Sequence, residues 1–217
     1  MRSFGERTDT IVVDEPLYAH YLHATGLDHP ARDAVVASQP TDWRAVAAAL
    51  TGPLPNGISV FYQKHMTHHL LPDIGRSWLS ALSHAFLIRD PAYVVASYAK
   101  VREPTLDELG YPQQVEIFRR YGGPVIDAAD VLRDPAGVLS RLCEALGIDW
   151  DPAMLRWASG PRDTDGVWAP HWYGKVDSST GFATNDPGPA VVPSRLQPLV
   201  DAAMPYYEEL AVQRLAA

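Results

Sequence analysis

Four groups of residues in this chain could bind or move charge. Lys64 and His65 follow the apolar run 58–62 after Gln63. Arg89 closes the run 85–88, and Ser97 lies eight residues further on. Asp14 and Glu15 close the run 10–13, with Tyr18 just beyond. The fourth is the aromatic stretch from Gly166 to Phe182, which carries Trp168, Trp172, Tyr173, Lys175, Ser178 and Ser179. Lysine and arginine neutralise phosphate or sulfate charge, and a histidine can take a proton from an attacking hydroxyl. Each group also has a structural alternative. Arg-Asp-Pro is a common turn, and an acidic pair before Pro16 can cap the next helix. The aromatic stretch is open to two readings: a stacking surface for a planar ligand, or a lid packed by its own rings.

Apolar periodicity shows what must position these groups. In the segment His84 to Val101, a buried run ends at Arg89, Asp90 and Pro91, and Val94, Val95, Tyr98 and Val101 then recur at helical spacing. Pro91 suits the first helical turn and Asp90 can cap it, so Arg89 stands where a strand passes into a helix. Helix N-terminal amides favour anions there. Further short runs at 10–13, 58–62 and 124–126 read as strands. Helices are expected over 17–24, with Gly26 as the stop, and over 41–50, 70–82, 113–121, 136–146 and 154–158. The segment 160–193 reads as a long irregular loop or lid, and 194–217 as a C-terminal helix. Strands separated by helices predict an α/β protein: a single domain over 1–217, three-layer α/β/α, with a parallel sheet. Ligands of such folds bind at the carboxyl ends of the strands, which puts the first three groups on one rim.

Composition narrows the function. With 217 residues and 47% apolar content, the chain can build a substantial core. Its 26 acidic residues against 18 basic ones give a net charge of −8, and no basic tract offsets it, so nucleic acid is not an expected partner. No run approaches the roughly 18 apolar residues of a membrane span, and no signal-peptide pattern opens the sequence. A lone cysteine, Cys143, in an apolar helical pattern reads as core and excludes a disulfide framework, which fits a cytoplasmic protein. The oligomeric state is not legible.

His65, His68 and His69 could share a helix face, but Leu70, Leu71 and Pro72 follow them and no fourth ligand is evident, so no metal is expected. His20 and His23 read as an exposed helix face. Neither G-x-x-x-x-G-K-[ST] nor G-x-G-x-x-G follows any strand, which argues against ordinary nucleotide hydrolases and Rossmann dehydrogenases.

The strand, Arg-Asp-Pro, helix and serine pattern of Arg89 and Ser97 resembles the 3′-phosphate-binding segment of sulfotransferases that use 3′-phosphoadenosine 5′-phosphosulfate (PAPS). The stretch from Gln63 to Pro72 resembles that family's Lys-Thr-His-Leu strand end. His65 falls on the catalytic base there, while Gln63 replaces the usual lysine and Lys64 sits one place later. More closely, the chain resembles a bacterial sulfotransferase-like P-loop family whose relatives also occur fused to aminotransferase-like domains. The shared landmarks are Asp14-Glu-Pro-Leu-Tyr18, Ala24-Thr-Gly-Leu-Asp-His-Pro30, Asp90-Pro91 and the aromatic stretch.

The resemblance implies a P-loop NTPase-like sulfotransferase fold with PAPS, or its product PAP, as co-substrate and no metal. His65 and Lys64 would be catalytic, Arg89 and Ser97 would bind the cofactor, and Asp14, Glu15, Tyr18, Trp168 and Trp172 would line the acceptor side. Such proteins open with a strand and a phosphate-binding loop. This sequence matches them only from within the following helix, at residues 1–7. The expected fold is therefore N-terminally truncated and leaves strand edges unpaired. Met1 would be a misplaced or alternative start, or this form would lack catalytic competence. The family's C-terminal Arg-Lys-Gly is absent, and Arg162 or Lys175 is expected to substitute. The expected activity is sulfuryl transfer from PAPS to a small hydroxyl or amine acceptor. The alternatives are a non-catalytic or degenerate nucleotide-binding domain, and a P-loop small-molecule phosphotransferase.

Overall fold

The four short apolar runs all become strands: β1 (Thr10–Asp14), β2 (Val60–Lys64), β3 (Phe86–Ile88) and β4 (Val125–Asp127). Their β-branched and aromatic side chains favour a pleated, half-buried surface. The computed structural model describes residues 1–183 and 188–215. Helices α1 (Tyr18–Thr25), α2 (Arg32–Ser38) and α3 (Trp43–Leu50) connect β1 to β2. Helices α4 (Pro91–Tyr98), α5 (Leu106–Leu109) and α6 (Tyr111–Tyr121) connect β3 to β4, and α7 (Ala128–Arg133) and α8 (Pro135–Leu146) follow. The remainder holds the short α9 (Ala169–Trp172) and α10 (Gly174–Asp177), then α11 (Gln197–Ala211).

Pairing is parallel in both sheets. β1 runs beside β2 from Thr10 opposite Val60 to Asp14 opposite Lys64, and β3 beside β4 from Phe86 opposite Val125 to Ile88 opposite Asp127. The fold is thus mixed α/β with parallel strands, built as two sheets of two. Parallel neighbours need long crossovers, which α1–α3 and α4–α6 supply.

The chain forms two compact units, one from residues 1–82 and 151–182, the other from 83–150 and 183 onward. The first centres on β1, β2 and a cluster of Tyr18, Tyr21, Leu22, Val35 and Trp168. Trp168 folds back over Gly166, where any Cβ would collide with its indole. The second unit packs α4 against α11 through Val95, Leu196 and Val200. It ties α6 to α11 by a two-point Arg119–Glu209 pair. Cys143 is buried in α8, as its apolar helical setting predicts. Among the described residues no helix is long and apolar enough to cross a membrane.

Local signals were read well where a cap was present. Asp90 accepts from the Ala92 amide at 2.7 Å with Pro91 in the first turn of α4, and Gly26 ends α1 in the left-handed conformation. The expected helix over 70–82 is absent. Only Ser77–Ala81 is helical within it, as a 3-10 turn, and another 3-10 turn, Thr67–His69, precedes it. The physical reason is Arg76, whose guanidinium gathers the carbonyls of Leu70, Leu71 and Ile74 at 2.7–2.9 Å and holds the intervening chain as a loop. The irregular segment from 160 holds α9 and α10. The C-terminal helix begins as a 3-10 turn at Ser194–Leu196, and residues 184–187 and 216–217 lie outside the described chain.

His20 also departs from expectation. It is buried, and its Nδ1 hydrogen-bonds the Thr41 carbonyl at 2.7 Å, while His23 is exposed. His68 and His69 are packing residues. His69 stacks on Tyr18 at 4.7 Å and lies 4.8 Å from the Tyr21 ring. Burial, then His68 and Lys64, hold the His69 pKa well below the ordinary 6.5. Below that value the unfolded chain takes up a proton that native His69 refuses, so this contribution to stability is present above pH 6.5 and lost below it. The expected slope for one such site is at most about 1.4 kcal/mol per pH unit. Urea unfolding from pH 7 to 5 should show His69→Phe with a shallower acid slope than wild type, and identical slopes would contradict this role.

Candidate active site at the carboxyl ends of β1 and β2

Asp14 and Lys64 are register partners at the last positions of β1 and β2, and the ladder continues one step through the Glu15 amide to the Lys64 carbonyl at 2.9 Å. The Lys64 ammonium donates to Asp14 Oδ1 at 3.0 Å, to Glu15 Oε1 at 2.5 Å and to the Tyr173 hydroxyl at 2.6 Å. The Tyr173 hydroxyl donates to Asp14 Oδ2 at 2.6 Å, with Glu15 Oε1 at 3.2 Å. Its ring centroid lies 5.0 Å from Lys64 Nζ, close enough for a cation–π contribution. All three ammonium hydrogens are thereby used.

The bend after β1 makes this closure work. Glu15 has φ +41°, a left-handed conformation that costs a non-glycine residue roughly 1–2 kcal/mol. Its carbonyl is held by the Tyr18 amide at 3.0 Å and by Gln39 Nε2 at 3.3 Å, and Gln39 also accepts from the Ala19 amide at 3.2 Å. Neither acidic side chain caps α1, whose N-cap Leu17 makes no side-chain bond. The capping alternative for Asp14 and Glu15 therefore gives way to a charge-binding one.

Two buried carboxylates share one cation. Burial raises the Glu15 pKa, Asp14 adds to the rise, and Lys64 opposes it. For Lys64, burial pulls the other way, but Glu15 and Asp14 outweigh it and hold the ammonium above the ordinary lysine range. Burial, then Glu15, also raises the Tyr173 phenol, so Tyr173 is a neutral donor.

Beside this cluster, Gln63 donates to the Leu50 carbonyl at 2.8 Å and accepts from His65 Nε2 at 3.2 Å. That assignment places the His65 proton on Nε2 and makes Nδ1 its basic nitrogen. His65 is half-buried, with the Trp78 ring 6.0 Å away.

The other expected site residues divide clearly. Tyr18 is buried, with its hydroxyl 2.8 Å from His29 Nδ1, and Trp168 is 1% exposed in the same cluster. Both pack into the core of the first unit, an arrangement that matches the self-packed alternative at Trp168. Trp172 is partly buried against that cluster. Arg162 is held by Glu6 at 2.6 Å, so its charge is already matched, while Lys175 is exposed on α10.

In the second unit Arg89 is exposed and makes no ion pair among the described residues. Its guanidinium lies over the Tyr93 ring at 5.4 Å, and its carbonyl accepts from the Tyr111 hydroxyl at 2.7 Å. Ser97 is exposed in the last turn of α4. Tyr93 and Ser97 lie four positions apart on α4, which puts them on one helix face, and Arg89 reaches that face through its contact with Tyr93. An exposed, uncompensated guanidinium at a helix start fits an anionic group. Among the described residues no cluster of three or more His, Cys, Asp or Glu is placed to hold a metal ion.

Sequence reasoning missed Tyr173 as a polar partner, because it counted only the ring, and missed Gln63 and Tyr93 as supports. Nothing in local spacing signals a contact across 109 positions. Removing the shared cation should be costly. Lys64→Met leaves two buried carboxylates uncompensated, with an expected loss of about 3–5 kcal/mol in urea unfolding at pH 7. The deficit should narrow as pH falls through the carboxylate range, and a pH-independent deficit would count against the charge argument.

Comparison with known proteins shows which family the chain belongs to. A family described as the sulfotransferase domain matches residues 1–214. Two curated proteins of Arabidopsis thaliana are similar over 97% of this chain: branched-chain-amino-acid aminotransferase-like protein 1, 38% identical, and the corresponding protein 2, 34% identical. The matches cover 39% and 38% of those proteins, so the chain spans about two-fifths of their length. The solved sulfotransferase domain from the Synechococcus PCC 7002 olefin synthase is 17% identical with a TM-score of 0.49, over 90% of this chain and 74% of that one. The chain that places Lys64 and Arg89 at its strand ends belongs to the sulfotransferase domain family.

Proposed function

We propose that this protein transfers a sulfuryl group from PAPS to a small hydroxyl or amine acceptor. The observation that carries the proposal is Arg89: an exposed guanidinium where β3 passes into α4, in no ion pair among the described residues of a chain with net charge −8. In so acidic a protein an uncompensated cation at that position suits a phosphate ligand. Arg89 and Ser97 are assigned the donor's 3′-phosphate, with Tyr93 fixing the guanidinium plane. Lys64 is assigned the oxygens of the transferring group, because sulfuryl transfer, like phosphoryl transfer, depends chiefly on positioning and charge stabilisation. His65, oriented by Gln63, stands beside it as a proton acceptor.

A second reading has its own observation. Lys64 is fully engaged by Asp14, Glu15 and Tyr173, so at rest its charge is spent inside the protein. A domain that binds a nucleotide without turning it over would keep such a cluster as a structural lock.

Calorimetric titration with PAP tests the first reading. Wild type should bind, and Arg89→Ala should weaken binding about tenfold or more, the effect of losing a charge-assisted hydrogen bond. Affinity unchanged by Arg89→Ala would refute the assignment. If PAP binds and His65→Ala retains that binding, loss of turnover in the variant supports an enzyme, whereas absence of turnover in wild type with every acceptor supports the second reading.

A further inference from the structure

Within the first unit, one hydroxyl has surroundings that packing does not require. The Tyr173 oxygen receives a hydrogen bond from the Lys64 ammonium at 2.6 Å, and its O–H donates to Asp14 Oδ2, also at 2.6 Å. The ring lies only at the edge of the aromatic cluster, where a phenylalanine would fill the same space. A cation holding the oxygen and a carboxylate taking the proton is the arrangement that readies a hydroxyl for nucleophilic attack.

We propose that the Tyr173 phenol stands in the position of the acceptor hydroxyl. The acceptor is then itself a small phenol, Asp14 is its general base, and Tyr173 must withdraw for it to enter. This inference rests on the assignment of Lys64 to the transferring sulfuryl oxygens. In the step itself the acceptor oxygen forms a bond to sulfur, and the bond from sulfur to the bridging phosphate oxygen breaks, its electron pair remaining on PAP. The acceptor proton passes to the Asp14 carboxylate. For such an acceptor Asp14 takes the base role that the proposed function gives to His65, because Asp14 is the group that already accepts from the hydroxyl Lys64 holds.

Two measurements test this, and the first needs no PAPS. In Tyr173→Gly, which vacates the ring, phenol at millimolar concentration should raise the unfolding temperature, because it binds the native state alone. Anisole, with the same ring and no hydroxyl proton, should not, and neither should phenol after Asp14→Asn is added. Equal shifts from phenol and anisole would overturn the proposal and leave simple cavity filling. The second measurement is PAPS-dependent sulfation of 4-nitrophenol by Tyr173→Phe, which retains the ring and serves if the glycine variant does not fold. KM for the phenol should fall about tenfold with kcat preserved, since the resting contact that competes with the acceptor is gone. A fall in kcat at unchanged KM would overturn the proposal by making Tyr173 part of the machinery. Failure of every form to bind PAP, alongside the phenol-over-anisole preference, would remove the sulfuryl-transfer reading while sustaining the hydroxyl site.

Discussion

The first unit of this protein depends on a single shared ammonium. Lys64 lies at the end of β2, yet the groups it holds come from the end of β1, from the bend after it and from the aromatic segment 109 positions away. Two buried carboxylates share one partly buried cation, which is costly unless every ammonium hydrogen is matched, and here all three are. That balance makes the left-handed Glu15 tolerable and fastens Tyr173 over the strand ends. The cluster adds less to overall stability than to uniqueness of register, because Asp14 can meet Lys64 only in the observed β1–β2 pairing.

Arg89 is the counterpart in the second unit, and the contrast is instructive. Lys64 has its partners already, whereas the Arg89 guanidinium has an aromatic support and no carboxylate among the described residues. A saturated cation needs a rearrangement before it can act on a ligand, while an unsaturated one is available at once. The chain belongs to the sulfotransferase domain family.

The strands and most helices were legible because their determinants are local. β-branched runs marked β1 to β4, Pro91 and Asp90 marked the start of α4, and Gly26 marked the end of α1. The segment 70–82 misled because its apolar spacing suits a helix, and nothing in that spacing reports that Arg76 takes the carbonyls a helix would use. Residue types at the strand ends singled out Lys64, Asp14, Glu15 and Arg89 as candidates, but not which of them the fold would pair. Tyr18 and Trp168 have the chemistry of binding residues and the burial of core residues, a distinction that belongs to tertiary packing. Tyr173 was hidden for the same reason: its ring could be read, while the partner of its hydroxyl could not.

The central claim is that Lys64 and Tyr173 act as one charge-sharing unit. The most direct measurement is a double-mutant cycle in urea unfolding with Lys64→Met, Tyr173→Phe and the pair. Coupling of about 1–3 kcal/mol is expected, since each partner orders the same carboxylates. Additive effects, with coupling indistinguishable from zero, would contradict the account.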